Sequence, residues 1–312
     1  MHEFAREQDR SLEVQRNLAD LFSLAESFFN YWTDQDKERW TEAIPRESAN
    51  LALILDVQAS RLYRSIVEEC RRAEAFNAAI LARTLFETVL GVAFLLKKDV
   101  RIVVEPIVPK GASSGALPAK FAAKVRSRRT KRTRRHLLTR EFRATLFLAY
   151  AYFSLEEQGI ESMGKFPGFY HKARRLRKTT DRNIIAEYER QIGAEWSYIL
   201  RHSNTYAGLA VEDLAAVLHK EFLRWYETVY HFQSLAVHAL DVLHHIEIAD
   251  GQTLTASFLS NDRDVYQSLR AATGIFYAHM HIVHQNIGFG TSADVAFYSL
   301  GQKLKRVTYK GE

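Results

Sequence analysis

Two apolar segments of the chain hold charged and polar side chains that could do chemistry. Arg83 and Glu87 are the only charged residues between Phe76 and Leu96, and residues 225–262 contain no Lys or Arg although the chain has 43 of them. Charges surrounded by apolar sequence are expected to be buried, and a buried charge is costly unless it is paired or used. We therefore predict that these segments form an active or binding centre. The alternative is an ion pair that only fixes helix register.

The second segment is expected to present polar groups along one face of a helix. At about 100° per residue, one arc of roughly 120° collects Arg224, Glu227, His231, Ser234, His238, Asp241 and His245. Solvated helix faces typically carry Lys and Glu, whereas this face is rich in His and Ser, which favours an interior polar seam or a subunit interface. The candidate centre comprises Arg83, Glu87, Arg224, Tyr230, His231, Ser234 and His238, with Asp241 as a further candidate.

These residue types fit metal-independent cleavage of RNA. A His can act as general acid or base near neutral pH, and an Arg can bind a phosphate through two hydrogen bonds. In such a reaction the 2′-OH attacks the phosphorus, the His transfers a proton and the Arg stabilises the developing charge. Ser234 and His238 are four residues apart and could instead form a nucleophile pair, but no glycine-rich elbow accompanies them.

Two basic tracts indicate a polyanionic partner. Residues 120–143 hold 11 Lys and Arg against one acidic residue, and residues 171–182 hold six against one. Because the net charge of the chain is only +6, the remainder is net acidic, and a basic band on an acidic body favours RNA, DNA or an acidic protein face as partner. A solvated helix face is the alternative. The predicted nucleic-acid contacts are Arg126, Arg128, Arg129, Lys131, Arg132, Arg134, Arg135, Arg174, Arg175, Arg177 and Lys178.

Apolar periodicity predicts an all-α fold, a helical bundle. The predicted helices are Leu12–Trp32, Leu51–Arg72, Phe76–Lys98, Phe142–Gln158, Asp181–His202, Val211–Ile248, one from an Asn261-Asp262 cap to about Asn286, and Ser292–Lys305. Residues 100–119 hold β-branched residues and three of the five prolines, which predicts a short extended segment and loop insertion. We divide the chain into N-terminal helices (1–99), the insertion with its basic tract (100–143) and C-terminal helices completing one helical domain (144–312).

Composition and motif searches argue against several classes of protein. The single cysteine excludes an internal disulfide framework and fits a reducing, cytoplasmic setting. Residues 1–10 are charged and show no secretory signal. The apolar run Leu85–Leu96 is too short to span a bilayer once Glu87 is counted, so we expect no membrane partner. No phosphate-binding glycine loop or paired-cysteine motif occurs, and His279, His281 and His284 lack converging ligand spacing, so we expect neither cofactor nor metal.

The two polar segments resemble a bacterial helical family that is known only as a domain of unknown function. The matching motifs are Arg-x-x-x-Glu, here Arg83 to Glu87, and Tyr-x-x-x-Ser-x-x-x-His, here Tyr230, Ser234 and His238. The resemblance covers roughly residues 50–250. It implies an all-helical fold with these five residues as its polar centre, and it brings no established activity.

A more remote similarity is to the HEPN helical ribonucleases of toxin and phage-defence systems. Their motif is an Arg followed by four to six residues and a His, and both Arg224–His231 and Arg129–His136 have this spacing. Arg224–His231 is the better candidate because it lies on the predicted seam helix. This similarity implies a homodimer and allows an operon-encoded protein partner.

Three functions are therefore open at the level of sequence. The first is a metal-independent ribonuclease or RNA-processing effector, in a defence or toxin-like setting. The second is a non-catalytic module that binds nucleic acid or protein through the basic band. The third is a sensor that binds a small anionic ligand between the two polar helices.

Overall fold

The computed structural model describes residues 2–35, 39–102, 136–144, 146–148, 211–230, 246–249, 253–256 and 261–309. Of these, 86% are helical, which confirms the predicted all-α class. The chain divides into two compact units: unit 1 is Met1–Leu96 with Lys220–Glu312, and unit 2 is Lys97–His219. The predicted domain boundaries at residues 99 and 143 stay predictions.

The N-terminal part of unit 1 consists of five helices. They are α1 (His2–Asn17), α2 (Ala19–Thr33), α3 (Arg39–Ala43), α4 (Arg46–Arg71) and α5 (Ala75–Leu96). Leu18 interrupts the helix that was predicted to run without a break to Trp32. Its amide still bonds to the Val14 carbonyl at 2.9 Å, and its carbonyl accepts from Phe22 N at 3.0 Å, so the chain bends at Leu18 without losing its hydrogen bonds.

Helices α4 and α5 are separated by a break at Ala73, as the two separately predicted helices require. Ala73 has a φ of 62°, the left-handed conformation that usually requires Gly. The Ala73 amide bonds to the Cys70 carbonyl and the Glu74 amide to the Glu69 carbonyl, at 3.1 and 2.9 Å. This pair of bonds is the Schellman motif, which satisfies the last carbonyls of α4 and turns the chain into α5.

Unit 2 contains a short antiparallel strand pair. β1 (Val100–Ile102) pairs with β2 (His136–Leu138), with Val100 opposite Leu138. This confirms the extended start of the predicted insertion, while residues 103–135 lie outside the described residues. Residues 140–144 and 146–148 are helical, and α6 spans Val211–Leu218.

Two cationic side chains connect the ends of unit 2 through hydrogen bonds to backbone carbonyls. The Lys97 ammonium donates to the Leu218 carbonyl, and the guanidinium of the buried Arg143 donates to the Lys97 carbonyl. Burial is the main reason that the pKa of Arg143 falls to about 10. The chain therefore enters and leaves unit 2 at adjacent points.

The C-terminal part of unit 1 differs most from prediction. It contains α7 (Lys220–Trp225), a π-helix (Tyr226–Tyr230), a hairpin of β3 (Ile246–Ala249) and β4 (Thr253–Ala256), α8 (Asp262–Ile287) and α9 (Thr291–Arg306). The predicted helix Val211–Ile248 begins at Val211 as expected, but it breaks at His219, and residues 246–248 form a strand. Alternating β-branched residues around Asp250-Gly251 favour that hairpin.

Helix α5 is the central helix of unit 1. It packs against α4 and α8, and from Leu85 to Leu96 every residue except Glu87 is buried. The helix has 22 residues and is long and apolar enough to cross a membrane by length and composition. The sequence-based prediction considered only Leu85–Leu96 and therefore underestimated the length of the apolar helix. Since 67% of its apolar window is buried, it equally fits a core helix. On the neighbouring α4, Cys70 is fully buried, and burial raises the pKa of its thiol.

Candidate functional site

Arg83, Glu87 and Tyr230 form one group in unit 1, which we call the Arg83 cluster. The Arg83 Nη2 donates a hydrogen bond to the Tyr230 hydroxyl at 3.0 Å, and the guanidinium carbon lies 4.6 Å from the centre of the Tyr230 ring. The Arg83 Nε lies 3.5 Å from Glu87 Oε1. The structure thus brings together three predicted site residues from parts of the chain that are 147 positions apart.

The expected burial of the charge pair is wrong. The side chains of Arg83 and Glu87 are 25% and 47% exposed, and the intervening Thr84 is also exposed. These residues share one side of the middle of α5, whereas Ala82, Leu85 and Phe86 fill the opposite, buried side. The cluster can therefore be reached by a solute.

Tyr230 is the most buried member of the cluster, at 9% exposure. Its ring lies 5.8 Å from that of Phe86 and stacks with Tyr226 at 5.1 Å. Burial, the charge of Glu87 and a hydrogen bond to Glu87 raise the pKa of the phenol, and together they outweigh the opposing effect of Arg83. At neutral pH Tyr230 is therefore a neutral phenol that accepts from Arg83 and donates to Glu87.

The π-helix places Tyr230 at the end of one wide turn after α7. Single π-helical turns are rare and are frequent at functional sites. Trp225 comes directly before this turn and lies against Gly274 of α8, with its Cζ2 2.6 Å from the position of a Cβ on residue 274. Because Gly274 has no side chain, the indole can approach α8 and anchor the turn that carries Tyr230.

Arg224 is not part of the Arg83 cluster. Its side chain is 69% exposed and pairs with Glu221 at 3.0 Å, and no hydrogen bond or ion pair joins it to Arg83, Glu87 or Tyr230. The predicted polar arc assumed a regular α-helix through Arg224 and Glu227. The π-helical turn changes the angle per residue, so a shared face does not extend across it.

The remaining predicted site residues lie outside the described residues. These are His231, Ser234, His238, Asp241 and His245 of the predicted seam, and the eleven basic residues between Arg126 and Arg135 and between Arg174 and Lys178. Their roles stay predictions.

Sequence reasoning did not select Asp56, which is the centre of a buried polar group. Its Oδ1 accepts from the Trp32 indole N–H at 2.7 Å and lies 2.7 Å from His279 Nε2. All three side chains are buried. Within the described part of the chain, His279 Nδ1 has no hydrogen-bond partner, so that ring is held by Asp56 through Nε2 alone. A lone Asp in the amphipathic α4 carries no sequence signal of burial.

The three histidines of α8 do not converge. His279 contacts Asp56, His281 pairs with Gln285 at 2.9 Å, and His284 lies 2.8 Å from the Tyr31 hydroxyl and 3.0 Å from Asp294 Oδ1. Among the described residues, no group of three or more His, Cys, Asp or Glu could hold a metal ion. The expected lack of metal and cofactor stays a prediction.

Comparison with known proteins identifies a family that includes this chain. A model of a family of unknown function (DUF5677) matches residues 49–253, close to the span of 50–250 expected from the motifs. The match includes the Arg83 cluster and the region of His231, Ser234 and His238. No curated protein and no solved structure matches the chain significantly.

Proposed function

The chain belongs to DUF5677, a family of unknown function, and from the chemistry of the Arg83 cluster we propose that it cleaves RNA without a metal ion. The observation that supports this most directly is the joining of Arg83, Glu87 and Tyr230 in one accessible cluster. A guanidinium, a carboxylate and a neutral phenol within hydrogen-bonding reach supply a phosphate binder, a base and a fixed donor.

In this proposal, Arg83 binds the scissile phosphate and Glu87 acts as the general base. The Glu87 carboxylate takes the proton of the 2′-OH, whose oxygen attacks the phosphorus while the bond to the 5′ oxygen breaks. The guanidinium stabilises the added charge on the phosphoryl oxygens. Tyr230 holds Arg83 in place by its hydrogen bond and its ring face.

The leaving 5′ oxygen needs a proton, and we assign that step to His231 or His238. His231 follows Tyr230 directly in sequence, which makes it the first choice. Ser234 is proposed to contact substrate. Arg224, exposed and paired with Glu221, is proposed to contact the RNA backbone rather than the reacting phosphate.

The wider setting follows from the sequence patterns. The basic residues between Arg126 and Arg135 and between Arg174 and Lys178 are proposed to bind the RNA backbone, because Lys and Arg neutralise phosphates. We further propose a remote HEPN-like relationship, a bacterial source, a cytoplasmic location, a homodimer and a defence or toxin-like role with an operon-encoded partner.

The test is cleavage of total tRNA by the purified protein, with and without EDTA. We expect EDTA-resistant cleavage that leaves 2′,3′-cyclic phosphate ends. Arg83→Gln and Glu87→Gln are each expected to slow cleavage by about 10²–10³-fold, the usual cost of removing a charge-stabilising donor or a general base. Tyr230→Phe keeps the ring and removes the hydroxyl, so a smaller loss is expected. His231→Ala or His238→Ala identifies the acid.

Arg64→Gln is the matched control, since Arg64 is an exposed arginine of α4 outside the cluster. Each variant is checked for folding by circular dichroism. Undiminished cleavage by folded Arg83→Gln would contradict the assignment of this cluster. If the wild-type protein binds RNA without cleaving it, the result would favour a non-catalytic binding module instead. If it neither binds nor cleaves RNA, the result would favour the sensor of a small anionic ligand.

A further inference from the structure

A groove of about 650 Å³ lies in unit 1, apart from the residues of the Arg83 cluster. It runs between the α1–α2 junction and the C-terminal end of α9, and Tyr266 of α8 lines it as well. Sites for small molecules typically measure roughly 300–1,000 Å³. The groove is therefore large enough for a ligand of nucleotide size.

Three cationic side chains line this groove: Arg16, Lys303 and Arg306. Within the described part of the chain, none of the three has a carboxylate at ion-pair distance, whereas Arg10, Arg71, Arg83 and Arg224 each have one. Asp20 is the one acidic side chain among the described lining residues. The described lining therefore holds three cationic side chains against one carboxylate, an excess of positive charge.

Helix dipoles account for only part of this pattern. Arg16 and Lys303 lie in the last turns of α1 and α9, where a cation is favourable on any helix. That effect explains each residue separately. It does not explain why the basic ends of two different helices meet at one concave surface. Lys305 occupies the same last turn of α9 but does not line the groove, so it serves as an internal comparison.

The floor of the groove is apolar. Leu18, Leu21 and Leu24 line it and are buried. The Tyr266 hydroxyl donates to the Val307 carbonyl at 3.2 Å, which holds the segment after α9 beside α8. A ligand that fits this surface has an apolar or planar part for the floor and an anionic part for the rim.

We propose that this groove binds a small phosphorylated ligand of nucleotide size. Its phosphates contact Arg16, Lys303 and Arg306, and its planar part lies on Leu18, Leu21 and Leu24. Charge-assisted hydrogen bonds from Arg and Lys are the usual means of phosphate recognition in proteins. This site is independent of the proposed RNA cleavage, and each can fail while the other stands.

The test is titration calorimetry of the full chain with ATP in EDTA, alongside adenosine as the probe without phosphate. We expect ATP to bind and adenosine to bind at least about tenfold more weakly, since one charge-assisted contact is worth about one decade in affinity. Arg306→Gln and Arg16→Gln are each expected to weaken ATP binding by about tenfold on the same basis. Lys305→Gln should leave it unchanged.

Asp20→Asn gives the test a variant that should gain affinity. Removing the one carboxylate of the described lining increases the positive charge of the groove, so ATP should bind severalfold more tightly. If Asp20 and the cationic lining residues only stabilised the fold, Asp20→Asn would not tighten ATP binding. Binding that Arg306→Gln and Lys305→Gln weaken equally would show a diffuse surface effect and overturn the proposal, as would failure of the wild type to bind ATP at millimolar concentration.

Discussion

At the scale of single residues, Asp56 is the acceptor on which two buried donors depend. If Asp56 becomes Ala, the Trp32 indole and the His279 imidazole lose their carboxylate partner without gaining water. We expect Asp56→Ala to lower the free energy of unfolding by about 3–5 kcal/mol, the usual cost of removing one member of a buried pair. Asp56→Asn should cost less because its amide oxygen can still accept. Urea unfolding measures both.

Glu68→Ala is the control for Asp56, because Glu68 lies on the same helix and pairs with Arg71 on the surface. Its loss should change the free energy of unfolding by less than about 1 kcal/mol. Equal costs for Asp56→Ala and Glu68→Ala would mean that the buried hydrogen bonds contribute little to stability.

Tyr31 makes the stability of the fold sensitive to alkaline pH. Burial, and secondarily the charge of Asp294, raise the pKa of its phenol from 10.0 to about 12. Between these values the unfolded chain releases a proton that the folded chain keeps, so the free energy of unfolding falls as the pH rises. The contribution of Tyr31 is complete below pH 10 and is lost on passing pH 12.

Tyr31→Phe isolates this contribution from those of the other tyrosines. We expect the free energy of unfolding of Tyr31→Phe to decline less between pH 9 and pH 11 than that of the wild type. The measurement is urea unfolding followed by circular dichroism at each pH. Parallel declines in the two proteins would show that the Tyr31 phenol ionises equally easily in both states.

Residue types predicted part of the site and missed the rest for physical reasons. Arg83 and Glu87 were identifiable because no other charge lies near them in α5, but their exposure depends on which side of α5 meets its neighbours. Tyr230 was found through its motif with Ser234 and His238. Asp56 was missed because an Asp at that spacing in an amphipathic helix is normally solvated, and only the tertiary positions of Trp32 and His279 make it a buried acceptor.

At the scale of elements, the contact between Trp225 and Gly274 controls the π-helical turn. A methyl group at position 274 would overlap the indole, so Gly274→Ala must displace either α8 or the turn that carries Tyr230. We expect Gly274→Ala to lower the free energy of unfolding by about 1–3 kcal/mol, as overpacking usually does. It should also reduce RNA cleavage if the proposed function holds. Thermal unfolding provides the stability measurement.

A double-mutant cycle separates this clash from the intrinsic effect of Ala in a helix. Phe at position 225 is smaller than Trp, so Gly274→Ala should cost less in the Trp225→Phe protein than in the wild type. Additive costs would show that the two residues do not interact as the structure indicates.

Helix ends were predictable from the sequence where a typical capping residue is present. Asn261 caps α8 by accepting from the Asp264 amide at 2.9 Å, and Gly288 ends it with a φ of 75°. Both signals are visible in the sequence. The end of α4 was not predictable, because Ala73 occupies the left-handed position where Gly is the usual signal. The π-helical turn at Tyr226–Tyr230 likewise has no established sequence signal.

At the scale of the whole molecule, unit 2 is inserted into unit 1 at a single place. Lys97 and Leu218 are joined by a direct hydrogen bond, so the two connections of unit 2 begin close together, as in tolerated domain insertions. We expect a protein in which about six Gly and Ser residues replace residues 98–218 to fold as unit 1, because such a linker spans about 13 Å. Circular dichroism and cooperative urea unfolding test this.

A molten or aggregated deletion protein would contradict that expectation and would mean that unit 1 depends on unit 2 for stability. The sequence indicated a boundary near residue 100 through its prolines and β-branched residues. It could not indicate the second boundary at His219, because the helix-forming pattern continues past that residue and the break depends on tertiary contacts.

The burial of Cys70 has a consequence for experiments on the intact protein. It is the only cysteine in the chain, it is fully buried on α4 and its thiol is held in the protonated form. A thiol reagent can therefore react only when α4 opens, and reaction requires the thiolate. The rate of Cys70 alkylation under native conditions thus reports the free energy of opening α4 at a single defined position. A ligand that stabilises the fold should slow this alkylation, so the effect can be measured on the wild-type protein without introducing a cysteine.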